Sequence, residues 1–183
     1  MSRTALLLMD LQLRNLAHAP DGYLPRAVHA LGAARAAGIP VIHVALQLRD
    51  GHADAHPRNK TFGSLPSGLF TPGDPDAALH PDVAPADGEI VVHKNRVSAF
   101  AGNDLRQLLA VQDVTHLVLA GIATGGVVLS TALQATDLDL RVTVLSDACA
   151  DPDPDLHDTL LRSVLARRGE VATAGAWARG LGV

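Results

Sequence analysis

Apolar residues in this chain gather in short blocks separated by stretches of helical spacing. Residues 4–10 (TALLLMD) form an apolar run closed by an acid, and residues 39–46 form a second run of the same kind. Short unbroken apolar runs fit strands buried on both faces. Between them, residues 24–37 carry helical spacing, and Gly38 and Pro40 punctuate the join as expected after a helix end. The unit predicts β-α-β. The pattern then recurs, with strands at 89–93, 115–120 and 141–145 and helices at 102–111, about 127–135 and about 154–166. Asn103 stands near the start of the first of those helices, and Asp151 or Asp153 suits the cap of the last, with Pro154 in its first turn. Residues 170–174 predict a final edge strand.

Alternating strands and helices imply a parallel sheet covered on both faces, an α/β architecture. In such sheets ligands bind beyond the carboxyl ends of the strands. Three segments with chemical potential fall at those ends: Asp10, Lys94 and the glycine-bearing turn at 121–126. One stretch breaks the pattern. Residues 47–88 are rich in Pro, Gly, Asp and His and exceed an ordinary connector, so they predict either a lid or interface arm or a solvated excursion. There is no internal repeat and no low-complexity segment.

A length of 183 residues is that of one domain, 1–183, able to bury a sizeable core without disulfides or metal. Aromatics make up only 3% of the chain, so the core must be built from Ala, Val and Leu, which favours α/β over an all-β sandwich. A net charge of −4 with scattered Lys and Arg offers no basic stripe, which argues against nucleic acid as a partner. No apolar run approaches a membrane span or a secretory signal. The single cysteine, Cys149, cannot form an internal disulfide. The expected location is cytoplasmic.

The three strand-end segments, in this order, resemble the isochorismatase-like hydrolases, the group that includes nicotinamidases, carbamoyl-group amidases and isochorismatase itself. LLLMDLQ is similar to the family's strand ending in Asp-x-Gln, here Asp10 and Gln12. VVHKNRVSAF is similar to the segment bearing its lysine, here Lys94. LVLAGIATGGVVLSTALQA is similar to its Gly-hydrophobic-Ala-Thr turn and helix, whose seventh position is normally a nucleophilic cysteine. Counted from Gly121, that position is Val127. Cys149 falls downstream, where the family position is structural. The resemblance covers almost the whole chain and implies a three-layer α/β/α sandwich with a Rossmann-like, mostly parallel sheet of about six strands. It also implies a cis peptide at Ile122–Ala123 and a homodimer or homotetramer.

In intact relatives the Asp serves as base for the thiol, the Lys stabilises charge, and backbone N–H groups hold the oxyanion. The resemblance therefore gives Asp10, Lys94 and Val127 as the catalytic positions, and Gln12, Ile122, Ala123, Thr124 and Gly126 as substrate-binding ones. Valine has no lone pair or acidic proton, so covalent chemistry at 127 is excluded. Two routes remain: acid catalysis by a protonated Asp10 on an enol ether, or attack on an amide or carbonyl by water that Asp10 activates. Against them stands a catalytically silent family member that binds a small molecule or serves as a structural oligomer, with Asp10 and Lys94 reduced to a buried ion pair. Thr124, Ser130 and Thr131 are hydroxyls near the missing thiol, but bonds to the helix explain them better. Asp50, His52 and His56 have suggestive metal spacing without an identifiable further ligand, so neither metal nor cofactor is expected. His43, His93, His116 and His157 fit hydrogen-bonded structural roles. Arg58 and Arg96 fit either a substrate carboxylate or a solvated surface.

Overall fold

A computed structural model describes residues 3–183. Six strands, β1 (Arg3–Met9), β2 (Val41–Leu46), β3 (Ile90–Lys94), β4 (Val114–Ile122), β5 (Arg141–Ala150) and β6 (Glu170–Ala172), lie in the order β3-β2-β1-β4-β5-β6. Every neighbouring pair is parallel. The helices are α1 (Leu13–Leu16), α2 (Tyr23–Ala36), α3 (Leu105–Val111), α4 (Leu129–Asp137), α5 (Pro154–Ser163) and α6 (Ala174–Leu181).

Strand pleating sorts the central apolar run between two cores. Ala5, Leu7 and Met9 of β1 face the cluster beneath α3, α4 and α5, while Leu6 and Leu8 face the one beneath α2 and α6. This is the expected three-layer α/β/α sandwich. On α2 the buried positions Tyr23, Ala27, Ala30, Leu31 and Ala34 recur at helical spacing, and the alanines let the helix lie close to the sheet. Asp153 caps α5 by accepting from the Asp155 and Leu156 amides, while Asp151 accepts from the Asp153 and Gly125 amides instead.

Several boundaries differ from expectation. The strand predicted at 170–174 ends at Ala172, because Thr173 caps α6 and the Asp147 carboxylate accepts from the Ala174 amide at 2.6 Å. The helix predicted from 102 begins at Leu105. Gly102 has a positive φ of 81°, outside helical geometry, and Asn103 caps the next turn by accepting from the Leu105 amide. The helix expected from Val127 is split into a π turn (Thr124–Val128) followed by α4.

Residues 47–88 are not a solvated excursion. Leu48, Phe62 and Phe70 bury themselves with Leu46 in a third, smaller core, and the segment folds as short turns around it. Arg14 of α1 pairs with Asp74 at 2.9 Å, and Asp74 also accepts from the Phe70 amide. Among the described residues no helix is long and apolar enough to cross a membrane.

Candidate active site

The sheet order reverses direction between β1 and β4, and the ends of those two strands open the crevice in which ligands of doubly wound sheets bind. Asp10 follows β1 with a left-handed φ of 61°, a conformation that Asp tolerates better than most residues. Its backbone is held there by donation to the Val44 carbonyl and acceptance from the Asn15 side-chain amide. Lys94 ends β3, two strands away, and only a long side chain spans the intervening end of β2 at Leu46. Lys94 Nζ reaches Asp10 Oδ2 at 2.9 Å and donates also to the Arg96 carbonyl at 3.0 Å.

Both members of this pair are buried, with residue exposures of 6% for Asp10 and 2% for Lys94. Burial pushes the Asp10 carboxyl above the usual carboxylate range, and the nearby lysine pulls against that shift without cancelling it. Asp10 Oδ1 has no protein hydrogen-bond partner. An unsatisfied buried acceptor costs about 1–3 kcal/mol.

Asp10 and Lys94 line a cavity of about 270 Å³. Its walls are mainly apolar, with Leu46, Phe62, Val97, Ile122 and Val127 among them. Ala123 and Gly126 also line it, and the Ile122–Ala123 peptide is cis, as the resemblance implied. Thus six of the sequence-derived positions, Asp10, Lys94, Ile122, Ala123, Gly126 and Val127, meet on one surface.

Gln12 and Thr124 stand behind that surface. The Gln12 amide donates to the carbonyls of Leu46 and Ala77 and accepts from the Leu46 amide, so it fastens the end of β2 to the long loop. Thr124 is fully buried, with its hydroxyl 2.7 Å from His157 Nδ1. Thr131 is buried too and accepts from the Ala99 amide. His43 contacts Glu89 at 2.8 Å and His116 contacts Thr143 at 2.9 Å, whereas His93 is exposed on the edge strand.

Among the described residues no three His, Cys, Asp or Glu side chains gather as a metal-ligating cluster. His52 is turned toward the Leu69 carbonyl at 2.8 Å, and the His56 ring accepts from the Arg58 amide. Arg96 is spent on the carbonyls of Asn95 and Asp54. Neither it nor Arg58 lines the cavity.

Sequence reasoning passed over several lining residues. Asp151 follows β5 and its Oδ2 holds the Gly125 amide at 2.7 Å, so the strand-end rule that found Asp10 applied to it as well; its helix-capping pattern hid it. Asn15 and His18 come from the turn around α1, and Phe62 comes from the long loop, where its one signal was an aromatic in a polar stretch.

The sequence profile of the isochorismatase domain matches residues 4–176. The chain belongs to the isochorismatase family. A maleamate amidohydrolase from Pseudomonas putida is 30% identical over 179 residues, spanning 93% of this chain and 83% of its own. A ureidoacrylate amidohydrolase from Methylobacterium radiotolerans is 32% identical over 208 residues, spanning 98% and 80%. Among solved structures, an isochorismatase family protein from Desulfovibrio vulgaris superposes with a TM-score of 0.88 at 28% identity over the full length of both chains. The family's nucleophilic cysteine is missing. The sole cysteine, Cys149, is buried in the sheet core with its sulfur 3.7 Å from the Leu119 carbonyl. Burial pushes that thiol up to about 12, far from the thiolate a nucleophile needs.

Proposed function

We propose that this chain is a family hydrolase without a covalent step, which binds a small amide, carbonyl or enol-ether metabolite between Asp10, Lys94 and the turn at 122–127. The observation that carries this reading is the buried Asp10–Lys94 pair with an unpartnered Asp10 oxygen, set on an apolar cavity beside Val127. On an amide, the Asp10 carboxylate takes a proton from water as the water oxygen adds to the carbonyl carbon. Negative charge develops on the carbonyl oxygen, where Lys94 and backbone N–H groups of the turn stabilise it. Protonated Asp10 then returns the proton to the leaving nitrogen as the C–N bond breaks, giving an acid and an amine. On an enol ether, Asp10 acts first as the acid, a role its raised pKa supports.

The test is hydrolysis of a panel of amides, carbamoyl acids and isochorismate by wild type and Asp10→Ala. Turnover is expected in wild type and is expected to fall about 100-fold or more in the variant. Full turnover in Asp10→Ala would refute the role of Asp10.

A second reading is favoured by one observation, the isopropyl group of Val127 on the cavity wall, at the position the family resemblance gives to the cysteine. Under it the chain binds a small molecule and performs no chemistry. Ligand-induced stabilisation with no turnover on the whole panel supports that alternative. Val127→Cys separates an otherwise intact site from a drifted one: amidase activity should appear in the variant if the remaining machinery is in place, and its absence would indicate drift. Both readings include a homodimer or homotetramer, as the family resemblance implies, and light scattering measures the assembly.

A further inference from the structure

The charges on the cavity wall are unequal. Asp10 and Asp151 supply two carboxylates, and Lys94 is the one lysine or arginine among the lining residues. Two of the three Lys94 donors are engaged, at 2.9 Å with Asp10 Oδ2 and at 3.0 Å with the Arg96 carbonyl, and its charge is balanced by Asp10. The arginines next in sequence to the lining residues Asn15 and Val97 are engaged elsewhere: Arg14 with Asp74 and Asp76, and Arg96 with the Asn95 and Asp54 carbonyls. His18 is exposed to solvent. Apart from these groups, Thr61 and the amide of Asn15, the walls are largely hydrocarbon.

We infer that the site selects an uncharged, mainly apolar carboxamide or carbonyl compound and rejects one bearing its own carboxylate. This deepens the reading under Proposed function and rests on it. A second carboxylate entering this space would lose its hydration without gaining an unbalanced cation, and it would meet the Asp151 carboxylate as a like charge. A neutral compound loses little on entry. Its hydrocarbon replaces water on Phe62, Val97 and Ile122. At about 270 Å³ the cavity suits a molecule at the small end of ordinary ligand sites.

Matched pairs of probes test the inference: pentanamide against 4-carbamoylbutanoate, and benzamide against 4-carbamoylbenzoate. Affinity is measured by titration calorimetry on wild type, Asp10→Ala, Asp151→Asn and Ala19→Lys. The neutral member of each pair is expected to bind wild type at least about tenfold tighter, and Ala19→Lys, which sets a cation at the cavity wall, is expected to shrink that gap. Asp151→Asn should shrink it as well while keeping an acceptor for the Gly125 amide. Equal or tighter binding of the carboxylates to wild type would overturn the inference and leave the proposed site standing. A gap unmoved by both charge variants would also overturn it, since size or shape would then be the cause. Failure of every probe to bind, or binding indifferent to Asp10→Ala, would defeat the proposed function itself, and the inference would fall with it.

Discussion

At the scale of the residue, the site turns on what Lys94 does for Asp10. A carboxylate this deeply buried is disfavoured in its charged form, and a cation at 2.9 Å offsets much of that cost. Lys94→Met should therefore destabilise the protein by about 3–5 kcal/mol at pH 7, the cost of an uncompensated buried charge. Replacing both partners, as in Asp10→Leu with Lys94→Met, should recover most of that loss, because a hydrocarbon pair leaves nothing unsatisfied. Urea unfolding followed by Trp177 fluorescence reads both effects. The pH dependence has a definite sign. The folded pKa of Asp10 is raised, so the folded state binds the proton more tightly than the unfolded chain, and stability is lost as pH rises through the raised value. The deficit of Lys94→Met should thus shrink as pH falls toward 4. A deficit that grew on acidification would contradict this assignment.

At the scale of the element, one network joins three segments far from the cavity. Arg35 of α2 grips both Glu89 oxygens, at 2.8 and 2.9 Å, and the same carboxylate contacts the buried His43 of β2 at 2.8 Å and accepts from the Ala86 amide. The Arg35 guanidinium holds the Glu89 carboxyl down to about 2. A lowered carboxylate pKa adds stability above its unfolded value of 4.5, and that stability is lost as pH falls toward 2. His43 is pushed below 6.5 by burial, so its neutral form adds stability that is lost as pH falls through its folded value. Because Arg35 is 37% exposed, solvent screening trims the value of the pair. Glu89→Gln is expected to cost on the order of 2 kcal/mol at pH 7, with the gap to wild type closing near pH 2 in thermal or urea melts. A gap that stayed constant from pH 7 to pH 2 would rule out the charged form as its source.

The same scale shows what could be read in advance. The central strands announced themselves because burial on both faces demands unbroken apolar runs, and TALLLMD is such a run. Asp10, Lys94 and the turn at 121–126 were legible because parallel sheets expose only their strand ends. The helix α6 was not, since AGAWARGL carries two glycines and little helical signal; Thr173 and Asp147 set its start from outside the segment. Nor was the fold of residues 47–88, whose order depends on four apolar side chains meeting across more than twenty positions and on Gln12 and Arg14 from elsewhere. Long-range partners of that kind leave no periodicity behind.

At the scale of the whole molecule, the sandwich gathers its site from distant parts of the chain: Asp10 after β1, Lys94 at the end of β3, Val127 after β4 and Phe62 from the loop between β2 and β3. No short segment supplies these walls, so only a completed sheet holds the cavity. The pairing of β1 with β4 carries a further consequence for how the protein is made. Ala5 faces Leu117 and Met9 faces Gly121 across the middle of the sheet, so β1 leaves the ribosome with one of its two neighbours still unsynthesised. At usual elongation rates that partner arrives roughly 5–20 s later. For that interval the hydrogen-bonding edge and leucines of β1 have only β2 beside them, which makes the nascent chain a natural client for chaperones that shield apolar segments.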